Sequence, residues 1–318
     1  MDYVTLTSNR SGQKINWVLS HLGLSSNTYY RWRKMESCGN LEDQYTPVPN
    51  LDATLGWEID TVIDYALEHP KEGYQRLSYM MIDEDVACLS PSTVYRILSE
   101  RDLLMRYKKS DRSPGRYDFK PTRPHQQWHI DIMYLWVKSR WYFFVGVLDA
   151  YSRYIVHWDL LETASSSNVR AVVESALKKH PGEKPRIVTD NGVQFKSKDF
   201  RQLIKDFSLL DIKIRVRHPE SNGKIERFHR SLREEGLSER QYKDKYKALE
   251  IIDNWVNYYN NERLHAGLKY LTPNDYLSDK VDERLAVRKE KLARAKRERR
   301  EVNKNLYNQI VKDQKVVA

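Results

Sequence analysis

The sequence predicts an α/β core built on a mixed sheet, preceded by helical modules and followed by a basic helical tail. Three observations predict it. The apolar runs Trp128–Trp136, Tyr142–Leu148 and Tyr154–Leu160 follow one another across short turns at Lys138-Ser139 and Ala150–Arg153, as in an antiparallel meander. From residue 168 onward, short β-rich runs alternate with stretches of helical periodicity. Before residue 105 and after residue 280, only helical periodicity is present.

A chain of 318 residues has room for two or three domains, each with its own core. Its 54 Lys and Arg outnumber 44 Asp and Glu, a net charge of +10 that favours a polyanionic partner. Of the two such partners, nucleic acid fits better than an anionic membrane. The longest apolar run, Trp141–Leu148, is far too short to cross a bilayer, and Met-Asp-Tyr-Val-Thr-Leu-Thr-Ser lacks the pattern of a signal peptide. The cysteines, Cys38 and Cys88, and nine scattered histidines show no zinc-ligand spacing and point to a reducing compartment. A soluble intracellular protein with no membrane partner is expected.

In chain order, residues 13–34 read as helix, Gly turn, helix. Ile15, Val18, Leu19 and Leu22 form one apolar face, Gly23 ends the first helix, and Ser25 is an N-cap for the second. That second helix displays Asn27, Thr28, Tyr30, Arg31 and Arg33, a polar and cationic set suited to groove edges and phosphates. A plain helical hairpin with a solvated basic face fits the same pattern. Residues 36–52 lack periodicity and read as a linker. Then come three helical stripes: Ile59, Val62, Ile63 and Ala66; Tyr74, Leu77 and Met81; and Val94, Ile97 and Leu98. Ser90-Pro91 starts the third helix, which turns Ser92, Thr93 and Arg96 outward. A second DNA-reading helix pair and a small structural bundle both satisfy this stretch. Residues 106–124 interleave Arg106, Lys108, Lys109, Arg112, Arg116, Lys120 and Arg123 with Tyr107, Tyr117 and Phe119. Three prolines keep the segment extended, either as an arm along a DNA backbone or as a solvated linker.

After the meander, the chain predicts a helix over 168–180, a strand over 187–190, a helix over 198–207, a strand over 213–216 and a helix over 222–235. The order βββαβαβα is that of the ribonuclease H-like fold. Lys247–Asn261 is a supporting amphipathic helix with Leu249, Ile252, Trp255 and Tyr259 on its apolar side. The tail, Val281–Ala318, carries twelve basic and six acidic residues with no Pro or Gly. Leu285, Leu292 and Leu306 share one heptad register that Arg299 interrupts, with Ala295 and Val302 on a second. They suggest a narrow seam for a partner subunit, or a solvated basic tail.

Three acidic residues stand out from this pattern. Asp131 sits within the apolar strand Trp128-His129-Ile130-Asp131-Ile132, and Asp190 closes Arg-Ile-Val-Thr-Asp-Asn-Gly at a strand end. Glu226 lies in the first turns of the helix opened by Ser221-Asn222-Gly223. Burying an unpaired carboxylate is costly, so such placements imply a cation, and three oxygen donors suit a divalent metal.

With 58 residues between Asp131 and Asp190 and 35 between Asp190 and Glu226, these residues resemble the catalytic triad of insertion-sequence transposases with a retroviral-integrase-type core. The flanking motifs Trp128-x-x-Asp131, Leu148-Asp149-x-x-Ser152-Arg153, Asp190-Asn191-Gly192-x-Gln194-Phe195 and Ser221-Asn222-Gly223-x-x-Glu226-Arg227 match as well. Farther on, Trp255-x-x-Tyr258-Tyr259-Asn260-x-x-Arg263-x-His265 and Thr272-Pro273-x-x-Tyr276 continue the pattern. The resemblance covers roughly residues 55–278, with one departure, Met133, where a threonine is expected.

The resemblance implies this organisation: 1–50, a helix-turn-helix module plus linker; 51–105, a second helix-turn-helix-like domain; 106–124, a basic linker; 125–278, a ribonuclease H-like catalytic core; 279–318, a basic helix. It implies a bacterial enzyme of the cytoplasm and nucleoid that binds the ends of a mobile element in double-stranded DNA, cuts, and joins a 3′-OH to target DNA. It further implies two Mg²⁺ or Mn²⁺ ions per site, with Asp131 shared and Asp190 and Glu226 completing one side each. Lys224, Arg227 and Arg230 become phosphate-clamp candidates, and a homo-oligomer, dimer or larger, is expected on DNA. A ribonuclease H-type nuclease would share the carboxylates, and a repressor with a decayed core would share the helical modules.

Overall fold

A computed structural model describes residues 2–39, 50–104, 119–213, 223–237 and 242–317. The chain forms two compact units, one of Met1–Leu51 with Asn303–Ala318, the other of Asp52–Val302.

The first unit contains α1 (Asp2–Ser11), α2 (Ile15–His21) and α3 (Ser26–Ser37). Val4, Val18, Leu19 and Tyr29 form its small core. The sequence predicted α2 and α3, and Ser25 caps α3 by accepting the Thr28 amide. Helix α1 is an addition. Val4, Thr5 and Thr7 are β-branched and poor helix formers, and Val4 is its one deeply buried apolar residue, so packing rather than local propensity holds it.

In the second unit, α4 (Gly56–Glu68), α5 (Tyr74–Asp83) and α6 (Pro91–Glu100) enclose Val62, Tyr65, Leu77, Met81, Val94 and Leu98. These are largely the stripes read from the sequence. Five strands follow: β1 (Gln127–Val137), β2 (Arg140–Asp149), β3 (Ile155–Leu161), β4 (Arg186–Thr189) and β5 (Leu210–Lys213). Their order across the sheet is β3-β2-β1-β4-β5. The first three pair antiparallel, and β4 and β5 add parallel to β1. This is the ribonuclease H-like arrangement. Strand β5 begins at Leu210 rather than 213 because Arg186 to Thr189 of β4 pair with Leu210 to Lys213; residues 214–216 of the expected strand lie outside the described residues.

The period-2 alternation of β1 and β2 creates two apolar faces. One packs Trp128, Ile130, Val145 and Val147 against α7 (Ser166–Lys179), α8 (Val193–Lys196) and α9 (Lys198–Asp206). The other packs Met133, Leu135 and Phe144 against α10 (Gly223–Ser231) and α11 (Lys245–Asn261). Two of the sequence motifs serve this framework. Asp149 is fully buried; its carboxylate accepts the His125 amide at 2.8 Å and the Ser152 amide and hydroxyl at 2.7 Å, closing the β2–β3 turn. Asn260 accepts the Ile155 amide at 2.9 Å and donates to the Ile155 carbonyl at 3.1 Å, so its amide pairs with edge strand β3 as a neighbouring strand would.

After α12 (Pro273–Leu277), the tail is one helix, α13 (Val281–Val317). Up to Val302 its inward seam is cationic rather than apolar. Arg288 forks onto Asp83, Lys291 donates to the Ile82 carbonyl at 2.9 Å, and Arg299 meets Glu58 at 2.9 Å. Arg299, read from sequence as a break in an apolar seam, is an anchor. Its partners are a 2 % exposed carboxylate on α4 and the Cys88 carbonyl. Leu285 and Leu292 are half-buried beside this charged seam. Among the described residues, no helix is long and apolar enough to cross a membrane.

Candidate active site

Asp131 is the fifth residue of β1, opposite Gly146 of β2. A Cβ at 146 would lie 2.9 Å from the fully buried ring of Phe144, so only glycine fits beside the carboxylate-bearing position. Asp190 follows the last residue of β4 and is exposed. Its Oδ1 accepts the Gly192 amide at 2.9 Å, and a Cβ on Gly192 would sit 2.9 Å from that same oxygen. The Asp-Asn-Gly motif is thus a turn that holds the carboxylate by backbone.

Glu226 is delivered by α10, whose buried residues Ile225, Phe228, His229 and Leu232 fall at i, i+3, i+4 and i+7. That stripe lays the helix across β1 and leaves Glu226, Arg227, Arg230 and Arg233 on the open side. A π-helical turn, Leu232–Gly236, follows.

Asp131 responds to the charges of the other two carboxylates. Burial, with further contributions from Asp190 and Glu226, pushes Asp131 up to about 7, against the Ile132 amide and Arg233, which favour its charged form. His229, missed in the sequence, has its Nδ1 at 3.5 Å from Asp131 Oδ2, and burial lowers it to about 3, so it stays neutral. Its only sequence signal is its position three residues after Glu226, on the apolar side of the helix. Among the described residues, no three imidazole, thiol or carboxylate groups lie close enough together to hold a metal ion. The donor chemistry nevertheless fits a hard divalent cation: oxygen ligands alone, and a buried carboxylate whose charge is opposed by two like neighbours.

The remaining candidates divide. Lys224 turns inward: its Nζ donates to the Ala150 carbonyl at 2.7 Å, and burial lowers it to about 7. It pins the start of α10 to the β2–β3 turn. Asn27, Tyr30, Arg31 and Arg33 are exposed on α3, as is Arg96 on α6. The hydroxyls of Thr28, Ser92 and Thr93 lie within 2.7 to 2.9 Å of the N-cap serines Ser25 and Ser90 and belong first to helix caps. Lys108, Lys109, Arg112 and Arg116 lie outside the described residues.

Fold and site together define a ribonuclease H-like protein with strand-borne and helix-borne carboxylates at the sheet's centre. Residues 121–219 match the family model of the integrase core domain, and residues 212–273 match a second model with the same description. Transposases of insertion sequences are among the proteins that the chain resembles. One, the transposase for insertion sequence element IS904 of Lactococcus lactis, is 27% identical over 160 residues, covering 50% of this chain and 63% of its own length. Another, the putative transposase InsK for IS150 of Escherichia coli, is 26% identical over 160 residues, covering 50% of this chain and 56% of its own. The matched region therefore spans less than two thirds of these relatives. The catalytic core domain of HTLV-2 integrase, solved in complex with magnesium, aligns with 49% of this chain and 97% of its own at 18% identity and a TM-score of 0.39.

Proposed function

We propose that the chain is a transposase that cuts DNA at the ends of a mobile element and joins the freed 3′-OH to target DNA. The observation that carries this reading is the placement of Asp131 within β1, Asp190 at the end of the paired strand β4, and Glu226 on α10 packed across the sheet, all inside the region matched by the integrase core models. Asp131, Asp190 and Glu226 would hold two Mg²⁺ or Mn²⁺ ions, which would supply activation of the attacking oxygen and stabilisation of the leaving 3′ oxygen. His229, buried and neutral, limits the directions open to the Asp131 carboxylate without adding a competing positive charge. Arg227 and Arg230, on the open side of α10, face the approaching phosphodiester. Arg31, Arg33 and Arg96 bind duplex DNA outside the core, and the protein works as a homo-oligomer on paired ends. In this reading residues 1–50 and α4–α6 carry DNA-binding surfaces and the sheet with its flanking helices carries the chemistry, with α13 up to Val302 bound to α4–α6.

The test is incubation of the purified full chain with labelled duplexes spanning the borders of its own gene, with Mg²⁺, followed by sequencing of joined products. Joined products with a fixed border nucleotide support the reading. Nicking without joining would reduce the protein to a nuclease.

A further inference from the structure

We propose that Arg288 is a positioning residue that locks the α4–α6 module to the end of the core, so that DNA held by the module reaches Asp131, Asp190 and Glu226 at a fixed offset. The DNA part of this proposal rests on the reading of the chain as a strand-transfer enzyme; the lock itself does not.

Arg288 is 3 % exposed, on a helix whose outer face is solvated. Its guanidinium joins two segments, the C-terminal part of α5 and the chain at Lys269–Tyr270. Nε and Nη2 fork onto the Asp83 carboxylate at 2.8 and 2.6 Å, at the end of α5. Nη2 also donates to the Tyr270 carbonyl at 2.7 Å, and Nη1 to the Lys269 carbonyl at 3.4 Å, in the chain leaving the core. The same guanidinium lies 4.8 Å from the centre of the Tyr79 ring, which stacks on Tyr270 at 5.1 Å. The Tyr270 hydroxyl donates to Gln75 of α5 at 2.5 Å. Arg284 adds a bridge from Asp83 at 3.3 Å to Asp275 at 3.6 Å.

The backbone at this junction is unusual. Lys269 and Tyr270 take φ of 53° and 56°, two consecutive non-glycine residues in the left-handed region. Such a conformation persists where its surroundings over-determine it, and here its carbonyls are what Arg288 engages. A buried ion pair adds little net stability compared with apolar packing, but it fixes geometry. Forking onto a carboxylate while also reaching two carbonyls needs a planar guanidinium, which a lysine cannot imitate. The module so held turns Arg96 and Tyr95 to the outside on α6.

The experiment uses the full chain with Arg288→Lys and Arg288→Met. Hydrogen–deuterium exchange is read over residues 79–83, 94–98 and 265–275, and cut positions are mapped on a labelled duplex from the border of its own gene. Exchange over 265–275 should rise about tenfold or more while 94–98, inside the α4–α6 core, is unchanged, because the lock opens without unfolding the module. Cuts should spread over several nucleotides while affinity for the duplex is kept. Unchanged exchange in both variants, or faster exchange with cuts still at one position, overturns the proposal. If the wild-type chain cuts nowhere, the functional reading fails and exchange alone decides the lock: faster supports it, unchanged overturns it.

Discussion

Asp131 and His229 face each other with opposite consequences for stability. Asp131 keeps its proton in the folded chain up to about pH 7 but sheds it near 3.8 when unfolded, so its contribution is lost as pH rises through that window. His229 stays neutral in the fold down to about pH 3 but gains a proton near 6.5 when unfolded, so its contribution is lost as pH falls through that range. Asp131→Asn in metal-free protein should therefore be more stable than wild type at pH 8, on the order of 1–3 kcal/mol, with the gain fading toward pH 4. Mg²⁺ should stabilise the wild type and not the variant. Thermal melts across pH, with and without the metal, check both; a pH-independent difference would remove the burial of Asp131 as its cause. Arg227 and Arg230 make a separate prediction. Replacing either with Gln should reduce the slope of log affinity against log salt by about one, as expected for one phosphate contact each. Lys224→Met should leave that slope alone and lower stability instead, because Lys224 already serves the Ala150 carbonyl. Fluorescence anisotropy over a salt series separates the two behaviours.

Elements were legible where their signal is local. The stripe Ile225, Phe228, Leu232 orients α10 and could be read from spacing alone, and Ser25, Ser90 and Pro91 mark helix starts by their own chemistry. Helix α1 was not legible because one valine and several β-branched residues carry no periodicity. The docking of α13 was hidden for a different reason: the carboxylate partners of Arg288 and Arg299 lie more than two hundred residues away. Spacing made Arg299 a defect in an apolar seam, whereas tertiary structure makes it the partner of Glu58. Arg299→Met should cost about 2–4 kcal/mol, since it strands a buried carboxylate. Adding Glu58→Gln should recover part of that loss, because the amide keeps an oxygen for the Leu55 amide and no longer buries a charge. Urea unfolding of the two variants tests this; an additive double variant would mean that the pair does not interact.

At the scale of the whole molecule, the sheet order brings residues 131 and 190 to neighbouring strands, and α10 crosses to supply 226. That much followed from the order of elements in the sequence. What did not follow is that α4–α6 shares a compact unit with the core. Removing residues 1–110 would therefore strip Arg288, Lys291 and Arg299 of their partners on α4–α6 and the adjoining turns, and a cut after Leu51 is the better division. A chain beginning at Asp52 should keep metal-dependent cutting while losing preference for the element border, which footprinting against the full chain would reveal. Ca²⁺ should support DNA binding with little turnover, because it tolerates loose geometry and does not organise the attacking oxygen. The most direct measurement is strand joining by Asp131→Asn, Asp190→Asn and Glu226→Gln beside the wild type, with Mg²⁺, the same border duplex and matched DNA occupancy. All three variants should bind the duplex and yield no joined product. Near-normal joining by any one of them would contradict a site built on these three carboxylates.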